Sequence, residues 1–218
     1  MEHTKAILLH VLPFQDTSAI LTAFTENKGL LKFFQRGYGR QKVPKAPLTL
    51  LEIAFDIGKS TLYRSFSLST LESYPHLRSD LSLLESAGRM GRTILLSQQM
   101  EHPSPKLFSL LETLFQNLTI EDPSKIAAMF EMKILYHDGL FGFAKRCTLC
   151  NAPAFSYYGH DAFCKTHSLK GHITFTYKEK HALSSLAHAT SLRCAHRVPC
   201  DKILNEKSKL WFNSFYTK

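Results

Sequence analysis

Residues 147–167, CTLCNAPAFSYYGHDAFCKTH, hold two pairs of metal-type ligands: Cys147 with Cys150, then Cys164 with His167. The pairs read C-x2-C and C-x2-H across a 13-residue spacer. Two ligands three positions apart can grip one ion from a single tight turn. Two such turns complete a tetrahedron of sulfur and nitrogen donors, which suits Zn²⁺. Asn151 follows the first pair and tolerates the left-handed conformation that such a turn tends to need. Gly159 lies where the spacer must reverse as a hairpin. Four protein ligands leave no position for water, so one structural zinc is expected, without a catalytic role.

Disulfides or ordinary buried thiols are the alternative. The five cysteines are an odd number, and the opening MEHTKAILLH has no long apolar leader segment. A secreted, oxidising setting is therefore not expected, and the chain reads as cytoplasmic. His160 and His172 lie near the second pair, and Cys194 and Cys200 follow, so each is an alternative fourth ligand. His167 is preferred because it alone sits at the paired spacing.

Outward from this cluster, the pattern on both sides is helical. Ser104–Pro105 and Asp122–Pro123 each join a capping residue to a proline suited to the first helical turn. Leu107, Leu110, Leu111, Leu114, Phe115 and Leu118 then recur at helical spacing. So do Ile126, Met129, Phe130 and Ile134, with Gly139 as a stop. Beyond the cluster, Thr176 and Glu179 form a capping-box signature. A last helix from Asp201 is expected to bury Ile203, Leu204, Leu210, Trp211 and Phe215. The cysteine cluster is thus a zinc-finger-like insertion, at residues 145–170, in an α-helical domain spanning 77–218.

Residues 1–76 read differently. Leu51, Ile53, Phe55 and Ile57 alternate with Glu52, Ala54 and Asp56, the period-2 pattern of a half-buried strand. Lys5–Val11, Ala19–Thr25 and Gly29–Gln35 are further short β runs. Leu62, Phe66 and Leu68 line one face of a fifth, with Arg64 interrupting. Asn27, Lys28 and Gly29 supply a turn between the second and third. Five short strands in so short a span suggest a closed barrel, and the OB-fold is the common five-stranded solution. The expected fold is an α+β multidomain chain: an OB-fold nucleic-acid-binding domain over 1–76, then the helical domain.

Charge points to a polyanionic partner. The chain of 218 residues carries a net charge of +9 at pH 7, with a pI near 9.3, which favours nucleic acid. From Asn27 to Leu51 no acid occurs, yet Lys28, Lys32, Arg36, Arg40, Lys42 and Lys45 all fall there. Lys32 and Arg36 share a strand face, being an even number of residues apart. The stretch RGYGRQKVPK adds glycines and Tyr38 to the cations, the make-up of a loop able to follow a phosphate backbone. Phe33, Phe34 and Tyr38 interleave with the charges, and such rings stack on bases in single-strand binders. Alternation makes at least one of Phe33 and Phe34 core. A solvated cationic face is the alternative, in which case Arg78, Arg89 and Arg92 of the helical domain are the next cations to consider.

Several enzyme classes are excluded. Gly58-Lys59-Ser60-Thr61 resembles the end of a P-loop, but Ile53 stands where the first glycine belongs. Zinc deaminases need an H-x-E ahead of P-C-x-x-C, and neither is present. No G-x-S-x-G nucleophile elbow occurs. Glu121 and Asp122 are explained by a helix start, where anions are favoured. With 44% apolar residues and no run near the 18 needed to cross a bilayer, no membrane span is read. No small-molecule substrate is implied.

The layout resembles the bacterial RecO family of DNA repair proteins. TKAILLHVLPFQDTSAILTAFTENKGLLKFFQRGYGR is similar to that family's opening: a strand, a polar turn, the Ser18–Leu21 strand, then Gly29-Leu30 and a basic glycine-containing loop. FEMKILYHDGLFGFAKRCTLC is similar to its second hallmark, a helix ending in Gly139-Leu140 shortly before the first C-x2-C. The resemblance implies a recombination mediator without enzymatic turnover. Such a protein binds single- and double-stranded DNA, anneals complementary strands, and works with RecR and with SSB, through the SSB C-terminal tail, to load RecA. Zinc-bearing relatives usually have a fourth cysteine where His167 stands. Some relatives lack the site, which implies that the metal supports the fold. Two rivals remain on the residues alone: a zinc-containing RNA-binding or translation-associated protein, and an adaptor whose basic face binds acidic protein tails.

Overall fold

The computed structural model describes residues 2–15, 17–40, 46–56, 62–64 and 66–216. The chain forms two compact units, Met1–Thr119 and Ile120–Lys218. Among the described residues, no helix is long and apolar enough to cross a membrane.

The first unit is built on six strands: β1 (Glu2–Phe14), β2 (Ser18–Thr25), β3 (Gly29–Gln35), β4 (Thr49–Phe55), β5 (Leu62–Tyr63) and β6 (Phe66–Glu72). They form one mixed sheet in the order β5-β3-β2-β1-β4-β6. β5 runs parallel to β3, while β6 runs antiparallel to β4. The two edge strands are therefore consecutive in the chain, parted only by Arg64 and Ser65. Three peptide steps span at most about 11 Å, so the sheet must curl until its edges meet.

The expected fifth strand is thus split where Arg64 interrupts it. The interruption also changes phase: Tyr63, with Phe66 and Leu68, packs on the barrel core of Ala6, Leu8, Leu21, Leu31, Phe33, Leu51, Ile53 and Phe55. Tyr63 thus takes the place on that face expected for Leu62. A second phase change falls between Leu8 and His10, where the β1–β2 register shifts.

Two helices, α1 (Leu81–Ser97) and α2 (Pro105–Asn117), belong to this first unit. The expected boundary at 76/77 marks the change from strand to helix. The compact unit extends to Thr119 because α1 and α2 cover part of the barrel's outer side. Phe24 meets Phe108 of α2 at 5.9 Å between ring centroids. A Cβ at Gly91 of α1 would lie within 3.5 Å of the Leu9 and Leu48 side chains. Ile7 and Leu9 are buried here, as are Ala6 and Leu8 inside the barrel. Both faces of this stretch are covered, which is why Ala6–Leu9 reads as continuous apolar sequence without alternation.

The turn before β3 docks on the chain ahead of α2. Gly29 adopts φ +70°, and a Cβ there would fall 2.2 Å from the His102 carbonyl oxygen. Only glycine fits. Helix α1 starts at Asp80, whose carboxylate accepts from the N–H groups of Ser82 and Leu83.

The second unit is organised around α3 (Pro123–His137), which is buried on nearly every side, as an interior helix must be. α4 (Tyr177–Ala187), α5 (Leu192–His196) and α6 (Lys202–Tyr216) pack on it. Lys133 reaches the carbonyls of Ala187 and Ala189 at the end of α4, and Lys125 that of His196 at the end of α5. These are the unpaired acceptors that cations favour at helix C-termini. Burial lowers the Lys133 pKa.

The expected helix signals are present in part. Thr176 and Glu179 form both bonds of the capping box, and Gly139 closes α3 at φ +71°. Ser104 and Asp122 precede their prolines without capping through their side chains. The Asp122 carboxylate pairs instead with Lys125 at 2.9 Å. In α6 the buried face is Leu204, Ser208, Trp211 and Phe212. Ile203 and Leu210, expected inside, are 66% and 57% exposed, because at 3.6 residues per turn they fall off the stripe set by Trp211.

Candidate metal centre and candidate nucleic-acid interface

Between α3 and α4 lies a small ribbon with the strands β7 (Ser156–Tyr158) and β8 (Asp161–Phe163), joined through Gly159 at φ +57°. Each ligand pair sits on a tight turn. Asn151 donates its N–H to the Cys147 carbonyl at 3.0 Å with φ +61°, the left-handed turn expected after the first pair. His167 donates likewise to the Cys164 carbonyl at 3.2 Å.

The two turns bring Cys147, Cys150, Cys164 and His167 together, with all four ligand atoms within 4.8 Å of one another. His167 Nδ1 lies 3.5 Å from Cys147 Sγ and 3.4 Å from Cys164 Sγ, and the Cys150 and Cys164 sulfurs are 3.6 Å apart. A tetrahedral ion bonded at about 2.3 Å to sulfur and 2.0–2.1 Å to nitrogen gives edges of about 3.8 Å and 3.6 Å. The donor set fits such an ion.

The other candidates stand elsewhere. His172 packs tilted against Phe163 at 4.2 Å and takes the Leu169 N–H on Nδ1. His160 is exposed beside Asp161. Cys194 and Cys200 lie outside the cluster.

The electrostatics favour thiolate at two of the three cysteines. At Cys150 a backbone N–H from Ala152 lowers the pKa, but burial and the neighbouring Cys164 and Cys147 outweigh it and raise the thiol. Burial would raise the Cys147 thiol, but N–H groups of Cys164, Cys150 and Leu149 outweigh it and hold its pKa at about 6. The His167 N–H similarly lowers Cys164. Hydrogen bonding to Cys147 raises His167.

The ribbon is fixed to its unit by an aromatic cluster of which the sequence points only to Trp211 and Phe215. Phe143 stacks on the Trp211 indole at 4.7 Å, with Phe141, Phe175 and Phe215 around it. Trp211 Nε1 donates to the Gly159 carbonyl at 3.0 Å, and the Gly159 N–H donates to Ser214 Oγ at 2.7 Å. The hairpin turn is thereby pinned to α6. Phe141 and Phe143 were legible as an F-x-F pair after Gly139, but nothing local assigned them to core.

The predicted nucleic-acid residues divide into four groups. Lys32, Arg36 and Arg40 are exposed on or just after β3. Lys28 is exposed but pairs with Glu2 at 3.2 Å. Tyr38 packs against the barrel core, and burial raises its pKa. Lys42 and Lys45 lie outside the described residues, as do Ile57 and Gly58–Thr61. Phe33 is core and Phe34 lies on the outer face.

Around Phe34 the structure gathers residues that the sequence did not connect. Strand register places Leu12, Ile20 and Phe34 side by side across β1, β2 and β3, with His10, Thr22 and Lys32 in the next outward row. Phe14 meets Phe34 edge-on at 5.6 Å, and the Arg64 guanidinium sits 5.9 Å from the Phe34 centroid. Leu12 and Phe14 are half exposed. This is the end of the barrel's outer face that α1 and α2 leave open. Arg78 is unavailable, because its guanidinium binds the Pro47, Ser73 and Tyr74 carbonyls.

Known proteins place the chain in a class concerned with recombination. The family model described as recombination protein O, N terminal, matches residues 1–79, and recombination protein O, C terminal, matches residues 78–207. Proteins named DNA repair protein RecO are similar along most of the chain. The one from Chlamydia pneumoniae is 31% identical over 195 residues, covering 84% of this chain and 75% of the relative. That from Chlamydia trachomatis serovar D is 30% identical over 190 residues (76% and 77%). That from Caldicellulosiruptor bescii is 24% identical over 216 residues (94% and 88%). The chain belongs to the RecO family. Nothing in these matches supports the RNA-binding or translation-associated alternative.

Proposed function

We propose that the protein is a mediator of DNA repair and homologous recombination. In this reading it binds single- and double-stranded DNA, anneals complementary strands, and acts with RecR and SSB to load RecA, without catalytic turnover. The first unit is then an OB-fold barrel: β5 and β6 together make the fifth strand that joins β3 to β4. The observation that carries the reading is the uncovered end of that barrel's outer face. There Lys32 is exposed one outward row from Phe34, Phe34 meets Phe14, and Arg36 and Arg40 are exposed in the segment that follows β3, cations for phosphates next to rings for bases.

The metal is Zn²⁺ in this reading, because three thiolates and an imidazole form a soft, closed, four-coordinate set. Its role is structural. Cys147, Cys150, Cys164 and His167 would hold it, and it would fix the two turns of the ribbon. The soluble, DNA-associated setting follows from the same reading.

The test is annealing of complementary single strands by the purified protein, with and without SSB. Accelerated annealing that persists on SSB-coated strands is the expected result. Absence of both binding and annealing, with tight binding to an acidic peptide instead, would point to the adaptor.

A further inference from the structure

The positive charge of this chain is not concentrated where its barrel is. Residues 1–119 carry 13 Lys and Arg against 10 Asp and Glu, a surplus of 3, whereas residues 120–218 carry 14 against 8, a surplus of 6. Between Asp138 and Glu179 the imbalance is steepest, with Lys145, Arg146, Lys165, Lys170 and Lys178 against Asp161 alone. The metal site does not account for it. Three thiolates around a divalent ion leave a net charge of −1, enough to engage one cation.

We propose that one face of the metal ribbon is a second single-strand-binding surface, with Arg146 and Lys165 on phosphates and Phe155 against a base. Arg146 forms an antiparallel bridge with Pro153, so the two side chains share a face, and Phe155, two residues on, shares it too. Phe155 is tied to β8 by its N–H to the Phe163 carbonyl at 2.7 Å. The Lys165 ammonium comes within 5.8 Å of the Phe155 ring centroid. Phe155 is nevertheless 43% exposed, and both cations are exposed with no carboxylate partner among the described residues. Arg146 donates one N–H to the Asn151 carbonyl at 3.1 Å, which orients the guanidinium and leaves its other donors outward.

An exposed ring flanked by two unpaired cations matches a base beside its phosphates. An acidic peptide would engage the cations but leave the ring in water. Lys165 lies between Cys164 and His167 and Arg146 precedes Cys147, so the ion fixes the spacing of both cations. Lys145 is bonded through its carbonyl to Ala154 and so sits on the opposite side of the ribbon from Phe155.

The inference rests on the chain being a single-strand binder, and the experiment separates the two. Fluorescence anisotropy with a labelled oligothymidine is followed over a salt series for the full chain, with metal content checked in every variant. Arg146→Ala with Lys165→Ala is expected to weaken binding at least tenfold and to flatten the log–log salt slope by about 1.4, two phosphate contacts at about 0.7 each. Phe155→Ala is expected to weaken binding about tenfold with the slope unchanged, since stacking releases no counterions. Lys145→Ala with Lys178→Ala removes the same charge from the opposite side of the ribbon and from α4, and is expected to change affinity less than threefold. Wild-type affinity in both the Arg146/Lys165 and Phe155 variants would overturn the inference, as would equal losses in the two double variants, which would reduce the effect to net charge. Either result leaves the barrel reading standing. That reading falls instead if the parent protein itself fails to bind.

Discussion

The metal ribbon and the barrel keep their shapes by different means. The barrel encloses ten buried apolar side chains from β1 to β4, with Tyr63 of β5 and Phe66 and Leu68 of β6 packed against them, and is partly covered by two helices. The ribbon has two three-residue strands and almost no interior of its own. Four ligand atoms on two turns are placed to hold it through a metal ion, together with the Trp211 clasp on Gly159. Shape in the barrel is distributed, so single surface changes should leave it intact. In the ribbon it is concentrated, so one side chain decides it.

The sharpest test of that contrast is Cys164→Ser. Removing one thiolate opens the site to water, and structural zinc sites contribute binding free energies of about 10–16 kcal/mol in small domains. Loss of the metal and a drop in melting temperature are expected, together with protease sensitivity within residues 139–175 and not in the barrel. Full metal content in this variant would sink the assignment of the site. His167→Cys should keep the ion, since a thiolate replaces imidazole in a closed site.

Within the barrel, the equivalent single point of failure is predicted at Gly29. Any Cβ there meets the His102 backbone at 2.2 Å and must also accept φ +70°. Gly29→Ala is expected to cost about 2–4 kcal/mol in denaturant unfolding, while metal content stays at one per chain. A neutral result would show that the turn and the segment before α2 can part freely.

The proposed DNA face should behave as the distributed shape implies. Replacing Lys32, Arg36 and Arg40 with alanine should leave the melting temperature nearly unchanged. It should weaken single-strand binding by one to two orders of magnitude and flatten the salt slope by about 2, at about 0.7 per phosphate. The loss should be similar across unrelated sequences, because backbone contacts carry no base information. Phe34→Ala should add to it without altering the slope. Binding unchanged at several salt concentrations would reduce the strip to a solvated face.

The same contrast governs what could be read from the chain. A coordination site is a set of spacings, and C-x2-C with C-x2-H states those spacings directly. Asn151 and Gly159 could likewise be placed because each answers a single backbone requirement. The barrel's open face is a matter of topology. That Phe14 meets Phe34, or that Leu12 lines up with Ile20, depends on the register shift between Leu8 and His10, and no local pattern announces that shift. The exposed side of Ile203 and Leu210 was hidden for a related reason. Apolar character says a residue can be buried, whereas the phase set by Trp211 says which ones are.

The smallest effect tests whether the helical framework contributes to the ribbon's shape at all. Glu179 closes the capping box of α4 by accepting the Thr176 N–H at 2.6 Å and also pairs with Lys207 of α6 at 2.6 Å. Burial raises its pKa, but the bonds from Lys207 and Thr176 outweigh it and leave the carboxyl below its ordinary 4.5. A depressed carboxylate stabilises the fold above its unfolded value, and that contribution disappears as pH falls through the folded value. Glu179→Gln should therefore cost about 1 kcal/mol at pH 7, and the difference from the parent should shrink towards zero below about pH 4. Metal content should not change, because none of these groups touches the four ligands. If Glu179→Gln released the ion at neutral pH, the α4–α6 framework would be holding the turns, and the ribbon's shape would be as distributed as the barrel's.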